Sequence, residues 1–413
     1  MRSEFLNIMQ ERGFIHQCTN LEGLDALLTS ERVTAYCGID PTGDSPHVGH
    51  LIPYLMMRWL KKCGHNPIIL VGGVTGMIGD PTGKDDARPV MTEQTIASNV
   101  ASISAVLGKI LNSGLEKDPI EIVNNADWLR NINYIDFLRD YGTHFSMNRM
   151  LSMDSVKQRL DREQSMSFLE FNYMILQGYD YLHLLRTRNC RLQMSGSDQW
   201  GNIIQGVELA RRIEQKEIFG LTAPLLTTAS GKKMGKTEGG AVWLKEEKLS
   251  SYDFYQYWRN TEDGDVGRFL RIFTEMPINE IEKLEKLKGS EINEAKKILA
   301  LEATALVRGR ASAEAAAETA RKTFEEGANA DGLPRYVVGI DALTAGIAAY
   351  ALFKDAGLAA SGSEARRLIA GGGARINDEK IDNDNMPVTT AHLVNGEIKL
   401  SAGKKKHVLV VVG

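Results

Sequence analysis

Two histidines separated by Val-Gly stand where a predicted strand gives way to a predicted helix. They are His47 and His50, and the segment 36–50 that contains them is rich in Gly, Pro and Asp. The first turn of a helix leaves N–H groups unpaired at the positive end of its dipole, so it binds anions. Imidazoles there can donate to phosphate oxygens, and Gly49 lets a flat ligand approach the backbone. Taken alone, two such histidines more often merely cap and pack at a helix start, and a His pair by itself does not settle function.

Cations cluster in a second, distant segment. Lys232, Lys233 and Lys236 stand on a glycine-containing loop after the apolar run 221–226. Lysine is a hydrated point charge on a flexible stem, which suits it to stabilise pyrophosphate as negative charge develops there. Taken alone, such a short run is also typical of a solvated basic loop.

A third group is polar and lies on a predicted helix. Tyr173, Gln177 and Asp180 are spaced by four and three residues, so they share one helical face. Buried polar groups need partners, and a bound polar ligand can supply them. A satisfied hydrogen-bond network in the core is the alternative interpretation of the same face.

Two further loops follow predicted strands. In the segment 193–202, Asp198 comes just after a strand, where a carboxylate is well placed for a ribose hydroxyl. The segment 71–84 is rich in glycine and ends in Gly83-Lys84, but Gly79 stands only three residues before that pair and Asp85 follows it. A P-loop needs four residues there and a Ser or Thr after the lysine, so a P-loop ATPase is disfavoured.

The elements that must position these groups alternate between strands and helices. The predicted strands are 33–38, 67–71, 120–123 and 191–194, and the predicted helices are 50–63 and 92–111. This alternation predicts an α/β fold, a Rossmann-like parallel sheet with helices on both faces.

The chain changes character after about residue 250. The segment 291–324 is dense in Ala, Glu, Lys and Leu and predicts paired helices, and a Gly- and Pro-containing stretch follows it. In the last part, Ser363 and Glu364 are typical of a capped helix start, and short strands are predicted around 374–377 and 408–412. We therefore predict a catalytic domain over 1–228 with an insertion near 126–190, an α-helical domain over 229–330, a linker over 331–345 and a small α+β domain over 346–413.

Composition excludes several classes of protein. The net charge of the 413 residues is −4, so any RNA contact must use local basic patches. The four cysteines form no C-x-x-C pair, which favours a reducing compartment over a disulfide framework or a zinc site. Neither a signal peptide nor an apolar run of the roughly 20 residues that cross a bilayer is present, so we expect a cytoplasmic protein without a membrane segment.

The two signature loops together resemble those of the class I aminoacyl-tRNA synthetases. The segment 47–50 is similar to the family's His-x-Gly-His element, and 233–237 is similar to its Lys-Met-Ser-Lys-Ser loop, with Gly235 and Thr237 in place of the serines. Their order and wide separation also fit the class. The helix 173–180, with Tyr36 opposite, resembles the tyrosine pocket of the tyrosyl-tRNA synthetases.

The resemblance implies a role for each matching residue. Tyr36 and Asp180 would bind the phenol hydroxyl, and Tyr173, Gln177 and Asp80 the ammonium group. Gln199 would lie near the carboxylate, Thr75 would face tyrosine, and Asn125 would support Thr75. The residues implied for ATP are Cys37, Gly38, Asp40, His47, Gly49, His50, Gly196, Asp198, Lys233 and Lys236. Those implied for catalysis are His47, His50, Lys84, Arg88, Lys233, Lys236 and Thr237. Ser195 departs from the family's commoner glycine.

The resemblance also implies partners. L-tyrosine, ATP with Mg²⁺ on its phosphates, and tRNA(Tyr) would be bound, without a protein-bound zinc, and the insertion would pack across the twofold axis of a homodimer. The tail, with Arg366, Arg367, Arg375 and Lys380, resembles the S4 RNA-binding module, although Asp378 replaces the family's glycine. A tryptophan-specific synthetase and a non-catalytic RNA-binding protein remain the alternatives. The tRNA bases that are recognised do not follow from the sequence.

Overall fold

The computed structural model describes residues 1–82, 91–115, 117–229, 231, 234–237, 240–325, 333–403 and 406–413. Three residues predicted for catalysis, Lys84, Arg88 and Lys233, lie outside these ranges. The chain folds into two compact units. The first comprises Met1–Thr237, Ala241–Lys248 and Glu262–Ala295, and the second comprises Glu238–Gly240, Leu249–Thr261 and Lys296–Gly413.

The strands, in chain order, are β1 Gln17–Cys18, β2 Thr34–Ile39, β3 Asn66–Val71, β4 Glu121–Asn124, β5 Cys190–Gly196, β6 Phe219–Ala223, β7 Lys236–Thr237, β8 Gly240–Ala241, β9 Arg335–Val338, β10 Ile347–Ala348, β11 Ala374–Ile376, β12 Glu379–Lys380, β13 Pro387–Val388, β14 Glu397–Ala402 and β15 Lys406–Val412.

The α-helices are α1 Glu4–Glu11, α2 Leu21–Ser30, α3 Leu51–Lys62, α4 Thr75–Ile78, α5 Glu93–Asn112, α6 Ala126–Leu129, α7 Tyr134–Asp140, α8 Met147–Leu151, α9 Asp154–Asp161, α10 Phe168–Arg188, α11 Trp200–Ile213, α12 Ser251–Arg259, α13 Val266–Phe273, α14 Ile278–Leu284, α15 Ile292–Arg308, α16 Arg310–Glu325, α17 Ile340–Ala345, α18 Ala349–Asp355 and α19 Gly362–Ala370. Among the described residues, no helix is both long enough and apolar enough to cross a membrane.

A six-stranded sheet organises the first unit. Its strand order is β1-β6-β5-β2-β3-β4, and all its pairs are parallel except the short edge pair of β1 and β6. Strand β3 is buried over Pro67–Val71, which is typical of a parallel strand covered on both faces. The predicted α/β fold with a parallel sheet is confirmed, and the predicted strands and helices are found within one or two residues of their predicted ends.

Two buried apolar clusters hold the helix α10 in place. One packs Tyr181, Leu182 and Leu185 of α10 against Tyr36 of β2 and Ile68 of β3. The other packs the start of the same helix against α7 and α8 through Phe171, Met174, Phe137 and Met150. The side chain of Ser167 accepts from the N–H of Glu170, and the Glu170 carboxylate accepts from the N–H of Ser167. This reciprocal cap fixes the residue at which α10 begins. One rigid helix therefore carries the predicted polar face 173–180.

The second unit contains a helical part and a small mixed domain. Helix α12 packs against α16, and the final sheet has the order β12-β11-β14-β15-β9 around a core that includes Leu352, Phe353 and Leu400. The segment 331–345 differs from the predicted linker, because β9 and α17 lie in it and β9 pairs in parallel with β15. β9 is short and pairs with a strand about 70 residues later, so the local sequence pattern does not predict it.

Local details of the tail refine the prediction. The cap of α19 is Ser361, which accepts from the N–H of Glu364, so the predicted cap Ser363 lies inside the helix. Asn377 and Asp378 have φ values of 49° and 67°, and they join β11 to β12. Such a two-residue turn needs left-handed residues, and Asn and Asp tolerate that conformation better than most residues other than glycine. Asp378 therefore serves where the S4 pattern has glycine.

Candidate active site

A cleft of about 420 Å³ opens at the carboxyl ends of β2, β3 and β5. Ligands bind there in open parallel sheets, because helix starts and loops converge at that edge. The cleft is lined by predicted site residues from both halves of the first unit, namely Tyr36, Gly38, Asp40, His47, Gly49, His50, Thr75, Asp80, Tyr173, Gln177, Asp180, Gly196, Asp198 and Gln199. Of the remaining predicted residues, Cys37 is buried in β2 and Asn125 is buried behind the cleft wall.

One end of the cleft is built around Asp180. Its Oδ2 accepts a hydrogen bond from Asn125 Nδ2 at 3.0 Å, and its Oδ1 accepts one from the indole Nε1 of Trp128 at 2.7 Å. The ring of Trp128 stacks on His183, with centroids 4.4 Å apart and planes 12° apart. Both carboxylate oxygens are therefore held in place, and each retains a second lone pair for a ligand.

Tyr36 faces the same end. Only 1 % of its surface is exposed, and its hydroxyl has no hydrogen-bond partner within the described part of the chain. The ring is held edge-on by Tyr181, with centroids 5.1 Å apart. A buried hydroxyl without a partner is costly, so this group is prepared for a ligand that can pair with it.

Burial controls the protonation of this end. It raises the pKa of Asp180 to about 7, although the hydrogen bonds from Asn125 and Trp128 oppose that shift. Burial, reinforced by the nearby Asp180, also raises the pKa of Tyr36 well above its usual value, so its hydroxyl keeps its proton. Perturbed groups that converge in a cleft are typical of functional sites.

The other end of the cleft is acidic. The hydroxyl of Tyr173 donates to Asp40 Oδ2 at 2.8 Å, and Thr75 Oγ1 donates to Asp40 Oδ1 at 2.7 Å. Asp80 accepts from Gln199 Nε2 at 2.6 Å. Two carboxylates thus stand near the predicted ammonium site, and Asp40, which was predicted for ATP, is also tied to the tyrosine side of the cleft.

A chain of hydrogen bonds connects the two ends. Asn125 Nδ2 donates both to Asp180 and, at 3.0 Å, to Thr75 Oγ1, which in turn donates to Asp40. A Cβ at Gly72 would lie 2.2 Å from Thr75 Oγ1 and 2.3 Å from Asp40 Oδ1, so this position must be glycine for the contact to form. The core-network interpretation of the helix face therefore holds in part, since Tyr173 and Asp180 have protein partners and still line the cleft.

The two predicted histidines cap their own turn. The N–H of Gly49 donates to His47 Nδ1 at 3.1 Å, the N–H of His47 donates to His50 Nδ1 at 3.2 Å, and the ring centroids are 3.9 Å apart. An imidazole whose Nδ1 accepts carries its proton on Nε2 when it is neutral. The capping that the sequence left open is present, and it orients an Nε2–H of each ring as a donor.

The two signature loops lie against each other. A Cβ at Gly235 would come 2.9 Å from His47 Nδ1, and the φ of Gly235 is +102°, so glycine is required on both counts. The N–H of Val242 donates to Gly235 O at 3.0 Å, and the N–H of Val48 donates to Val242 O at 2.9 Å. Lys236 and Thr237 form β7, so the backbone of the lysine loop is close to the histidines.

Sequence reasoning did not identify two residues that bear on the cleft. Trp128 does not line the cleft but donates to Asp180, and Gln193 lines the cleft from β5. No motif marks either residue, because each becomes relevant through a contact made across the fold. Across the described ranges, no three His, Cys, Asp or Glu side chains converge in a way that could hold a metal ion.

Comparison with known proteins agrees with this geometry. A family model described as tRNA synthetases class I (W and Y) matches residues 28–325. A tyrosine–tRNA ligase of Rhodospirillum rubrum is 56% identical over 411 residues, covering 100% of this chain and 98% of the relative. That of Mesorhizobium japonicum is 58% identical over 412 residues, covering 99% and 98%.

A solved structure shows the same similarity. The C-terminally truncated mitochondrial tyrosyl-tRNA synthetase of Aspergillus nidulans superposes with a TM-score of 0.70 at 32% identity, covering 78% of this chain and 94% of that one. The family model covers more than half of the chain, and the bacterial relatives match it from end to end. The chain therefore belongs to the class I tRNA synthetases of the tryptophan and tyrosine family, among the tyrosine–tRNA ligases.

Proposed function

We propose that this chain activates L-tyrosine with ATP and transfers the tyrosyl group to tRNA(Tyr). The proposal is carried by two groups at one end of the cleft. They are the hydroxyl of Tyr36, which has no hydrogen-bond partner among the described residues, and the carboxylate of Asp180, which Asn125 and Trp128 hold in place. A phenol hydroxyl both donates and accepts, so it satisfies both groups. Phenylalanine leaves the Tyr36 hydroxyl without this partner and the remaining lone pairs of Asp180 without a donor, and the resulting desolvation cost is a strong source of selectivity.

Tyrosine would lie with its ammonium group at the acidic end. Asp80 and Gln177 line that end, and the hydroxyl oxygen of Tyr173 is oriented by its bond to Asp40. Gln199, held by Asp80 and by Asn202, would face the carboxylate. Thr75 and Asn125 would support the pocket through the hydrogen-bond chain between its two ends.

ATP would occupy the neighbouring edge of the sheet. Gly196 at the end of β5 and Asp198 just after it would bind the ribose, while Gly38, Asp40 and Gly49 would form the nucleotide surface beside them. Cys37, which is buried in β2, would support this surface from behind. His47 and His50 would donate from Nε2 to phosphate oxygens. Mg²⁺ would arrive on the phosphates of ATP and neutralise part of their charge.

The first chemical step is the attack of the tyrosine carboxylate on the α-phosphorus of ATP, which releases pyrophosphate. Positioning and cations that stabilise the developing charge drive this step, and no side chain serves as a covalent nucleophile. We assign the cationic role to Lys84, Arg88, Lys233 and Lys236, with Thr237 on the same loop. The terminal ribose hydroxyl of tRNA then attacks the tyrosyl carbonyl of the adenylate, which forms the tyrosyl ester, breaks the acyl–phosphate bond and releases AMP.

We assign tRNA binding in part to the C-terminal domain. Arg366, Arg367, Arg375 and Lys380 are exposed there, and basic side chains on a small domain suit contact with a phosphate backbone. We retain the three modules 1–228, 229–330 and 346–413 as functional divisions of the chain, and we add β9 and α17 to the last because they pack into its sheet and core. Because the reaction consumes tRNA, we place the protein in the cytoplasm.

A homodimer is part of the proposal. The predicted insertion 126–190 exposes large apolar side chains, which are Tyr134, Ile135, Met147, Leu151, Leu160, Phe168 and Leu169. Exposed apolar residues that cluster in one segment are typical of a protein interface. Phe168, which is 70% exposed, is a sensitive probe. Phe168→Glu should shift the sedimenting species from dimer toward monomer, and a wild-type chain that sediments as a monomer at micromolar concentration would exclude the dimer.

The decisive experiment is ATP–pyrophosphate exchange with each of the twenty amino acids. Exchange that depends on tyrosine supports the proposal. Exchange that depends on tryptophan instead would show that the chain is a tryptophan-specific synthetase of the same family. A chain that binds tRNA but forms no adenylate would be the non-catalytic RNA-binding protein.

A further inference from the structure

A buried lysine in the C-terminal domain has no role in the proposed function. Lys399 lies in β14, and only 1% of its surface is exposed. Its Nζ lies 3.1 Å from both carboxylate oxygens of Asp378, and its backbone N–H donates to Asn377 Oδ1 at 2.9 Å. Lysine is rarely buried unless it is paired, so this ion pair needs an explanation.

Lys399 shares a face of the final sheet with two exposed cations. The register pairs Arg375 of β11 with Lys380 of β12 on one side and with Ser401 of β14 on the other. Register partners project from the same face, and so do residues two apart along a strand, which places Lys399 on this face as well. The opposite face carries apolar side chains such as Ile376 into the core of the domain.

Arg375 and Lys380 stand opposite each other although both are cations. Like charges in that position are destabilising, and neither has an acidic partner among the described residues. Each is nevertheless held in place. Arg375 Nη1 donates to the carbonyl oxygen of Asp378 at 2.9 Å, and the Lys380 ammonium lies so close to Gly372 that a Cβ there would collide with it. Two oriented cations side by side suit a phosphate.

The Asp378 carboxylate stands where it could cancel this charge. It belongs to the turn between β11 and β12, beside Arg375, and 55% of its side chain is exposed. Because Lys399 binds both of its oxygens, the charge of Asp378 is compensated and that of the Arg375–Lys380 pair is not. A glycine at this position, as in the S4 pattern, would need no such counter-ion.

We propose that Lys399 is a positioning residue for RNA binding, which holds the Asp378 carboxylate away from Arg375 and so leaves Arg375 and Lys380 to bind a phosphate of the tRNA backbone. This inference rests on the proposed binding of tRNA by the C-terminal domain. It adds a residue whose buried ammonium does not touch RNA. Without that ammonium, the Asp378 carboxylate pairs with its neighbour Arg375 and competes with the phosphate.

Lys399→Met tests the inference, because methionine fills a similar volume and removes the charge. Filter binding of the full chain to tRNA at several salt concentrations should show an affinity about fivefold to tenfold lower. The slope of log K against log salt should become shallower by about 0.7–0.9, which is the contribution of one phosphate contact.

The double variant Lys399→Met/Asp378→Asn distinguishes charge from structure. It carries neither member of the ion pair, and asparagine tolerates the positive φ of this turn. Its tRNA affinity and salt slope should return close to those of the wild type. If the pair only stabilised the turn, the double variant would bind tRNA no better than Lys399→Met, and the inference would be overturned.

Lys354→Met is the matched control. Lys354 also pairs with an aspartate, Asp355, at 3.1 Å, but it lies on α18, which packs against the core face of the same sheet. This variant should bind tRNA as the wild type does. A loss equal to that of Lys399→Met would show that only the net charge of the domain matters, which contradicts the role of Lys399.

Arg375→Ala separates this inference from the proposed function. Weaker tRNA binding by Arg375→Ala, with wild-type binding by Lys399→Met, refutes only the role of Lys399. Wild-type binding by Arg375→Ala removes both the proposed RNA contact and the inference that rests on it. Titration with inorganic phosphate covers a free anion: phosphate binding that is lost in Arg375→Ala, while tRNA affinity is unchanged, would assign the two cations to that anion and overturn the inference.

Discussion

The hydroxyl of Tyr173 donates a 2.8 Å hydrogen bond to Oδ2 of Asp40. Tyr173 was predicted to bind the ammonium group of tyrosine, and Asp40 was predicted to contact ATP. This bond connects the predicted tyrosine and ATP subsites. The Asp40 carboxylate also accepts from Thr75, so it orients two side chains of the tyrosine pocket. Burial and the charge of Asp40 both raise the pKa of Tyr173 well above its usual value, so its hydroxyl keeps the proton that it donates.

The Asp40–Tyr173 bond should make the two residues energetically coupled. Asp40→Asn, Tyr173→Phe and the double variant form a cycle in which the tyrosine dissociation constant is measured by equilibrium dialysis. A hydrogen bond to a charged group contributes about 1.5–3 kcal/mol, so we expect a coupling energy of that order. Additive effects of the two single substitutions would show that Asp40 acts on ATP alone.

Trp128 should contribute to tyrosine selectivity although it was not predicted for the site. Trp128→Phe removes the donor to Asp180 Oδ1 and leaves the ring stack with His183 possible. Loss of one charge-assisted bond should raise the KM for tyrosine about tenfold or more, with a smaller change for phenylalanine. Pyrophosphate exchange measures both values. Trp59→Phe is the control. Trp59 lies on α3, where its ring packs against the guanidinium of Arg12, and it does not line the cleft. An equal rise in the KM for tyrosine in that variant would contradict the prediction.

Asp180 should make the stability of the free protein depend on pH. Its folded pKa of about 7 lies above the value of about 3.9 in an unfolded chain. The folded state therefore binds more protons between about pH 4 and pH 7, and its stability falls as pH rises through that window and levels off above it. The contribution of Asp180 is fully present below pH 4 and lost above pH 7.

This linkage is measured by comparing thermal unfolding of the wild type and of Asp180→Ala at several pH values. The alanine variant lacks the titrating group, so the wild-type unfolding temperature should fall relative to the variant's as pH rises from 5 to 7.5. A difference between the two proteins that stays constant over that range would show that Asp180 titrates at its ordinary pKa.

A buried carboxylate should support the residues that precede the lysine loop. Asp265, which is 2% exposed, accepts from the N–H of Ala229 at 2.8 Å and from Arg268 Nη2 at 2.7 Å, and Arg268 also donates to Thr227 O. Asp265→Asn weakens these contacts and should lower the rate of adenylate formation more than it changes tyrosine affinity. Stopped-flow fluorescence separates the two quantities. A variant whose tyrosine affinity falls as steeply as its rate would point to a general loss of structure.

Charge on the C-terminal helix should contribute to tRNA affinity. Arg367 is exposed on α19, and its replacement by Glu should weaken tRNA binding and flatten the dependence of log K on log salt, because fewer counterions are released. Filter binding at several salt concentrations measures this slope, and tyrosine-dependent exchange serves as the internal control. Lys354→Glu on α18 of the same domain makes the same change of charge and serves as the control. An identical loss of tRNA affinity in that variant would indicate that the net charge of the domain matters, and not a contact between Arg367 and a phosphate.

Most of the site was accessible from sequence because its signals are local. The His47–His50 turn, the helix face that carries Tyr173 and Asp180, and the strands that precede Asp40 and Asp198 each follow from short-range spacing. The resemblance to a known family added roles to those positions. Strand and helix ends were also predicted closely, since caps and buried apolar runs lie within a few residues of the elements that they define.

Other features depend on pairs that are distant in sequence. The register of β2 against β5 sets Gln193 beside Tyr36, and a shift of one residue would turn either side chain to the other face of the sheet. The bond from Trp128 to Asp180, and the strand β9 in the predicted linker, arise in the same way. No periodicity or motif encodes such contacts.

The sequence by itself determined the fold class, the two signature loops and the residue types available to bind tyrosine and ATP, because these depend on local pattern and side-chain chemistry. The tertiary structure alone decided which of those groups are already paired and which are left for a ligand. Tyr173 is paired with Asp40, whereas the Tyr36 hydroxyl has no partner in the described residues. The physical reason is that hydrogen-bond satisfaction and burial are properties of neighbours in space, which only the packing of β2, β5 and α10 brings together.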